Sequence, residues 1–116
     1  MKDNIKRTKE RIKDTGEIFT PSELVKKMLD KLDYDWENHD HTKTWLDPTC
    51  GNGQFLVELA RRGVKAKNIY GVDIMPDNVE ETKRRLLEIY PNDKKWIDRN
   101  IVVGDALEFD YLNYWK

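Results

Sequence analysis

The spacing of hydrophobic residues predicts that helices and strands alternate along this chain. The first predicted helix covers about residues 21–33 and has one buried face. Thr20 is a suitable N-cap for it, Pro21 fits the first helical position, and the glutamate three positions after Thr20 would complete a capping box. The apolar residues that define the buried face are Leu24, Val25, Met28, Leu29 and Leu32. The polar stretch 33–43 is predicted to be a loop that Trp36 anchors.

Strands and helices continue to alternate after this loop. Strands are predicted at 44–47, 68–74 and 100–105. The helix between the first two strands would bury Phe55, Leu56, Leu59 and Ala60. It should end at Gly63, because two arginines precede that glycine. Asp77 and Glu80 form a second predicted capping box, which starts a helix that runs to about Tyr90.

This order of elements predicts an α/β protein with a parallel sheet. Right-handed crossovers through the helices place the three strands in the order 3-2-1, with helices flanking the sheet in a three-layer, Rossmann-like half-domain. We expect a basic N-terminal arm at residues 1–15 and a single domain at 16–116. The second half of such a fold, which would begin on the other side of strand 1, has no counterpart in the sequence.

Composition narrows the functional classes. The chain has 116 residues, room for one core, and its formal net charge of −1 argues against a general electrostatic nucleic-acid binder. Six basic side chains within residues 1–13 could still contact phosphate, although a solvated lead-in is the simpler interpretation. One cysteine excludes an internal disulfide, and with two histidines it supplies no recognisable zinc site. Without a signal or membrane segment, we expect a cytoplasmic protein of a bacterium or a phage-infected host.

Three carboxylates are predicted to meet at one edge of the sheet. Asp47, Asp73 and Asp105 each follow a strand, and the carboxyl ends of parallel strands form the ligand crevice of such folds. Asp73 lies 20 residues beyond Gly53, where an acid accepts hydrogen bonds from ribose hydroxyls. Asp105 could accept one from an adenine amine. Ile74 and Leu107 could supply apolar faces for the adenine ring.

The glycines after the first strand favour an anionic ligand group nearby. Gly51 and Gly53 can adopt positive φ and let the backbone approach a ligand, while the amides that open the next helix point towards it. A dinucleotide motif would need a third glycine where Leu56 stands, and the lysine of a phosphate-binding Walker loop is missing. The pattern therefore disfavours both of these ligand classes.

Four segments of the sequence resemble successive motifs of N6-adenine DNA methyltransferases, particularly the modification subunits of restriction systems and their phage-encoded relatives. The segments are Gly16-Glu17-Ile18-Phe19-Thr20-Pro21, Asp47-Pro48-Thr49-Cys50-Gly51-Asn52-Gly53-Gln54-Phe55-Leu56, Gly71-Val72-Asp73 and Gly104-Asp105-Ala106-Leu107. They span residues 16–108. The resemblance implies a methyltransferase half-domain that binds S-adenosylmethionine or S-adenosylhomocysteine.

The resemblance also implies roles for the matching positions. Thr20 and Pro21 would contact the methionine end of the cofactor, and Asp73 would bind its ribose. The loop beneath the cofactor would comprise Asp47, Cys50, Gly51 and Gly53. Asp105 would face the adenine amine, beside Ile74 and Ala106. Phe55 resembles a packing residue of the motif rather than a chemical one.

Some of these positions also have structural interpretations. Asp47 could cap the turn that follows it, and Asp73 or Asp105 could be a plain strand-end acid. Cys50 is interpreted as a small buried residue of the turn and not as a nucleophile, because no histidine lies in a partnering motif.

The family's catalytic motif, Asn/Asp-Pro-Pro-Tyr/Phe, is missing, since the four prolines are Pro21, Pro48, Pro76 and Pro91. The resemblance therefore implies a cofactor-binding portion that transfers no methyl group alone, and no catalytic or metal-binding residue is assigned. Two alternatives stay open. The chain could be an interaction module that uses its exposed sheet edge to self-associate or to dock a complementing polypeptide, or it could be an enzyme that degrades the cofactor. DNA contact would pass through such a partner or through the basic arm.

Overall fold

The structure is a computed structural model that describes residues 20–38 and 42–116. The basic arm, Gly16 to Phe19 and both histidines lie outside the described residues. The regular elements are α1 (Ser22–Asp30), β1 (Trp45–Asp47), α2 (Gln54–Arg61), a 3-10 turn (Ala66–Asn68), β2 (Ile69–Asp73), α3 (Pro76–Ile89), α4 (Lys94–Asn100) and β3 (Ile101–Val103). None of the described helices is both long and apolar enough to cross a membrane.

The three strands form one parallel sheet with β2 in the centre. Strand β1 pairs with β2 and places Leu46 opposite Tyr70, while β3 pairs with the other side of β2 and places Val102 opposite Val72. The order along the sheet is β1-β2-β3, so the predicted order 3-2-1 is confirmed. Each predicted strand is shorter in the structure than the sequence pattern suggested.

One face of the sheet is covered by helices. Gly71 of β2 permits this close packing, because a Cβ there would lie 2.6 Å from the Leu56 side chain of α2. Ile69 and Ile101 project from the strands into the same hydrophobic core. The helices complete this core with Val25, Leu29, Leu56, Val57, Leu59, Ala60, Val79, Leu86 and Ile97.

The opposite face is covered by aromatic side chains from the C-terminal segment. Phe109 lies close to Gly104, where a Cβ would approach it to 2.8 Å, and the ring of Trp115 packs edge-on against Tyr70 at 4.9 Å. Residues 104–116 form turns rather than a helix. Within the described residues, packed aromatic rings rather than a helix cover this face, and the predicted three-layer, Rossmann-like arrangement stays a prediction.

Helix α1 buries less of its surface than its hydrophobic pattern predicts. Val25 and Leu29 are buried, whereas Leu24, Met28 and Leu32 are each nearly half exposed. The prediction that all five form one buried face is wrong, because α1 ends at Asp30, before Leu32, and of the five only Val25 and Leu29 join the hydrophobic core. Trp36 does anchor the loop that follows, since its ring stacks on Trp45 at 5.5 Å.

Neither predicted capping box is formed. Pro21, in extended conformation, occupies the N-cap position of α1, so Thr20 lies one residue too early, and no side chain caps the helix. Helix α3 begins at Pro76, which places Asp77 inside the first turn, where its carboxylate accepts from the amide of Asn78. Helix α4 was not predicted, because its seven residues are mostly charged and it is short.

Candidate functional site

The carboxyl ends of the strands bring the predicted loop and acids to one edge of the sheet. The Cys50 amide donates to the Val72 carbonyl at 2.9 Å, and the Gly104 amide donates to the Asp73 carbonyl at 3.0 Å. These bonds continue the sheet beyond its strands and place the glycine turn and the Asp105 segment on either side of the end of β2. The structure therefore brings together the loop, Asp47, Asp73 and Asp105.

The backbone conformation of the turn from Cys50 to Gly53 requires glycine at positions 51 and 53. Gly51 has φ 55° and Gly53 has φ 92°, which is the left-handed region that side chains disfavour. A Cβ at Gly53 would also lie 2.9 Å from the Thr82 hydroxyl oxygen. Helix α2 begins at the next residue, so its N-terminal amides lie at the carboxyl ends of the strands, as the sequence predicted.

Asp73 ties this turn to the start of α3. One carboxylate oxygen accepts from the Gly51 amide at 2.9 Å. The other accepts from the Met75 amide at 2.8 Å and from the Asn78 side chain at 3.2 Å. A carboxylate offers about four acceptor positions, so about one remains for a further donor. Asp73 is thus a structural tether, and its predicted contact with ribose stays a prediction.

Asp47 caps the turn that follows β1. Its carboxylate accepts from the Thr49 amide at 3.1 Å. Burial raises the pKa of this carboxyl, and the nearby negative charge of Asp73 adds to the effect, while the bond from Thr49 opposes it. The capping interpretation is confirmed, and the predicted contact of Asp47 with a ligand stays a prediction.

Cys50 has the surroundings of a packing residue. It is 5% exposed, and its sulfur lies 4.0 Å from the Thr82 hydroxyl oxygen. Burial raises the pKa of the thiol to about 12, and the charges of Asp73 and Asp47 add to this shift. Since the thiolate is the reactive form, the environment suppresses the nucleophilicity that a catalytic cysteine would need. The prediction that Cys50 is a small buried residue is confirmed.

We expect iodoacetamide to alkylate Cys50 at pH 8 about 1,000-fold more slowly in the folded chain than in the chain unfolded in guanidinium, since the thiol pKa is about three units higher in the folded state. The folded rate should still rise about tenfold per pH unit near pH 10, where that of the unfolded chain levels off. Mass spectrometry of timed samples measures both rates. Folded and unfolded rates within tenfold of each other would contradict this account of the thiol.

The predicted adenine-facing residues lie beyond β2 and β3. The Asp105 carboxylate accepts from the Leu107 amide at 2.9 Å and is exposed. The Ala106 carbonyl accepts from the Tyr111 hydroxyl at 2.7 Å, which holds this turn to the aromatic segment. Ile74 and Leu107 are largely exposed. Exposed apolar side chains therefore lie next to Asp73 and Asp105 in the sequence, as the predicted adenine-binding role requires.

Thr20 and Pro21 lie at the start of α1. Thr20 is half-buried, Pro21 is exposed, and the Pro21 carbonyl accepts from the Val25 amide. Their hydrogen bonds among the described residues do not reach the glycine turn, so their predicted role at the methionine end of a cofactor stays a prediction.

Three polar residues of α3 contact this site and were missed by sequence reasoning. Asn78 and Thr82 are fully buried, and Arg85 is half-buried. They recur at helical spacing beside the buried Val79 and Leu86, and polar residues on a core face were the signal that could have identified them. No group of three or more His, Cys, Asp or Glu side chains within 20–38 and 42–116 could hold a metal ion.

A parallel sheet with a glycine turn and acids at its strand ends is typical of α/β proteins that bind nucleotide-like ligands. The model of the N-6 DNA Methylase family matches residues 5–111. The chain therefore belongs to the N-6 DNA methylase family, as its motifs predicted.

Two type II methyltransferases are among the relatives of this chain. M.VspI from Vibrio sp. is 39% identical over 74 residues, which cover 64% of this chain and 17% of the relative. M.NspV from Nostoc sp. is 31% identical over 108 residues, which cover 93% of this chain and 20% of the relative. The chain thus spans about a fifth or less of the length of these relatives.

A methyltransferase of a different kind also matches. The 2-phytyl-1,4-naphtoquinone methyltransferase of Trichormus variabilis is 32% identical over 68 residues, which cover 58% of this chain and 30% of the relative. No solved structure gives a significant match.

Proposed function

We propose that this chain is the S-adenosylmethionine-binding portion of an N6-adenine DNA methyltransferase-like protein and that it transfers no methyl group by itself. The observation that carries the proposal is the bond from the Gly51 amide to Asp73 at 2.9 Å. It holds the glycine turn against the end of β2 and leaves Asp73 about one acceptor position for a ribose hydroxyl.

The residues present fit such a ligand. The amides that open α2 suit the carboxylate of the methionine moiety, and Gly53, whose Cβ position is filled by the Thr82 side chain, fixes the turn that leads into them. Asp105 can accept from the adenine amine, between the exposed apolar side chains of Ile74 and Leu107. Thr20 and Pro21 would contact the methionine end. The bound cofactor would supply an activated methyl group, and these residues would orient it.

The comparisons support a role in binding the methyl donor rather than the methyl acceptor. The relatives are named as type II methyltransferases and as a naphtoquinone methyltransferase, which are different kinds of methyltransferase. The M.NspV match covers 93% of the chain and therefore overlaps the naphtoquinone match. A segment shared by different kinds of methyltransferase is expected to bind the common donor.

The proposed absence of catalysis rests on the sequence. The adenine-gripping motif of the family needs two adjacent prolines, and the chain has none. An enzyme that acts on a base in duplex DNA also needs a pocket for the extruded base, and no such motif supplies one here. DNA would be contacted through a partner that completes the site or through the basic N-terminal arm.

Ligand selectivity tests this proposal. S-adenosylhomocysteine at 1 mM should raise the melting temperature of the chain, because a ligand that binds the folded state stabilises it, whereas ATP and NAD should not. Incubation with methyl-labelled S-adenosylmethionine and adenine-containing DNA should transfer no label. Stabilisation by ATP alone would contradict the proposed ligand class, and labelled DNA would contradict the proposed inactivity.

A second proposed function, docking of a partner, is favoured by the side of β1 that pairs with no described strand. Within the described residues β1 pairs with β2 alone, and Leu46 in its middle is 46% exposed. A cavity of about 240 Å³ opens beside it, with Leu29, Trp45, Phe55 and Leu59 in its wall. An unpaired strand next to apolar surface is a template for a strand of another chain. A second copy or a complementing polypeptide would cover it.

Light scattering at high protein concentration tests self-association through this edge. The unmodified chain should dimerise, and Leu46→Lys should be monomeric, because a charge on the edge strand opposes pairing. Leu24→Lys adds the same single charge at a leucine of α1 that is 48% exposed, close to the 46% of Leu46, and serves as the control. A clean monomer for the unmodified chain would exclude the second copy and leave the complementing polypeptide as the proposed occupant.

A further inference from the structure

We propose that a polar stripe on α3, formed by Asn78, Thr82 and Arg85, positions the glycine turn for cofactor binding. This inference deepens the proposed function and rests on it. The three residues occupy positions i, i+4 and i+7, so they share one face of the helix. Two of them are fully buried, and buried polar side chains are retained where their hydrogen bonds are satisfied.

Each member of the stripe holds a different part of the site. The Asn78 side-chain amide donates at 3.2 Å to the carboxylate of Asp73, and the same carboxylate tethers Gly51. The Thr82 hydroxyl donates to the Gly51 carbonyl at 3.1 Å. Arg85 donates to the Asn52 carbonyl at 3.0 Å and to the Gln54 side chain at 3.1 Å. One helix face thus fixes two successive carbonyls of the turn as well as its tether.

These bonds determine which way the turn presents its amides. A trans peptide holds its carbonyl and the following N–H in opposite directions. Since the Gly51 carbonyl points at Thr82, the Asn52 amide points away from α3. The Gly53 amide is held inside the turn by its bond to the Cys50 carbonyl at 2.9 Å. A turn held in this way reduces the loss of conformational entropy on binding a ligand.

Thr82 allows the positioning role to be separated from core packing. Thr82→Val keeps a similar shape and loses the hydroxyl, which leaves the Gly51 carbonyl without this donor. Thr82→Ser keeps the hydroxyl and loses a buried methyl group, which destabilises a core. If Thr82 is purely structural, the less stable variant should bind the cofactor more weakly. If Thr82 positions the turn, the variant without the hydroxyl should bind more weakly, whichever variant is less stable.

The experiment is a calorimetric titration of the full chain and both variants with S-adenosylmethionine, with thermal unfolding measured on the same samples. Thr82→Val should raise the Kd about five- to tenfold, the equivalent of one hydrogen bond. Thr82→Ser should keep the Kd within about twofold of the unmodified chain even though it melts at a lower temperature. If the unmodified chain binds and Thr82→Val binds equally well, the positioning role is overturned.

Amide hydrogen exchange without ligand tests the stripe independently of the proposed cofactor. Thr82→Val should speed exchange of the Gly53 amide about fivefold or more relative to the Val72 amide in the centre of the sheet, since the turn loses a restraint. Unchanged relative exchange of Gly53 would overturn the inference. If the unmodified chain binds no S-adenosylmethionine, the proposed function fails, and exchange alone decides whether the stripe holds the turn.

Discussion

Replacing Asp73 with asparagine is expected to lower the free energy of unfolding by about 2–4 kcal/mol and to abolish measurable S-adenosylmethionine binding. The carboxylate accepts from the Gly51 amide, the Met75 amide and the Asn78 side chain. An asparagine side chain turns one acceptor into a donor, which would then face either the Gly51 or the Met75 amide. The turn would lose its tether, and the ribose would lose its acceptor. Urea unfolding and calorimetry measure the two effects.

Asp105→Asn is the matched control for the effect of Asp73→Asn on stability. Asp105 is exposed and accepts from one amide, that of Leu107, a bond that an asparagine oxygen can replace. Its free energy of unfolding should change by less than about 0.5 kcal/mol. Equal stability of Asp73→Asn and Asp105→Asn would show that Asp73 does not tether the turn, and unimpaired binding by Asp73→Asn would remove the ribose role.

Gly53→Ala is expected to destabilise the chain by about 2–4 kcal/mol and to weaken cofactor binding at least tenfold. The first cause is the φ of 92°, which a Cβ disfavours. The second is the Thr82 hydroxyl, which lies 2.9 Å from the position of that Cβ. Because Thr82 also holds the Gly51 carbonyl, relief of this clash would displace the turn. Urea unfolding and titration with S-adenosylmethionine measure the result.

Gly63→Ala separates the two causes. Gly63 follows α2 with φ 96°, close to the φ of 92° at Gly53, and it is exposed. It should lose about 1 kcal/mol and bind normally, because only the backbone cost applies. If both alanine variants lower the free energy of unfolding equally, the clash with Thr82 contributes nothing to the loss at Gly53. The close approach of α3 would then not require glycine at this position.

The order of the sheet could be predicted because each connection obeys a general rule. Parallel strands joined by right-handed crossovers allow few arrangements, and the strand-end positions of Asp47, Asp73 and Asp105 follow from them. The glycine turn could also be predicted from the sequence, since Gly51 and Gly53 are residues for which φ above zero costs little. The family followed from the motifs and is confirmed by the match over residues 5–111.

Other features depend on contacts between distant parts of the chain. The apolar spacing of α1 could not show that Leu24 and Met28 would stay exposed, because burial depends on what packs against the helix. The aromatic cover on the second face needed the position of residues 104–116, which have no helical pattern. The roles of Thr82 and Arg85 were hidden for the same reason, since their partners lie about 30 positions earlier in the sequence.

The most direct test of the proposed donor-binding role is a calorimetric titration of the unmodified chain with S-adenosylmethionine up to millimolar concentration. This role predicts saturable binding at one site per chain, and Asp73→Asn should lose that site. A flat titration at millimolar cofactor would contradict it, as would binding that Asp73→Asn leaves unchanged.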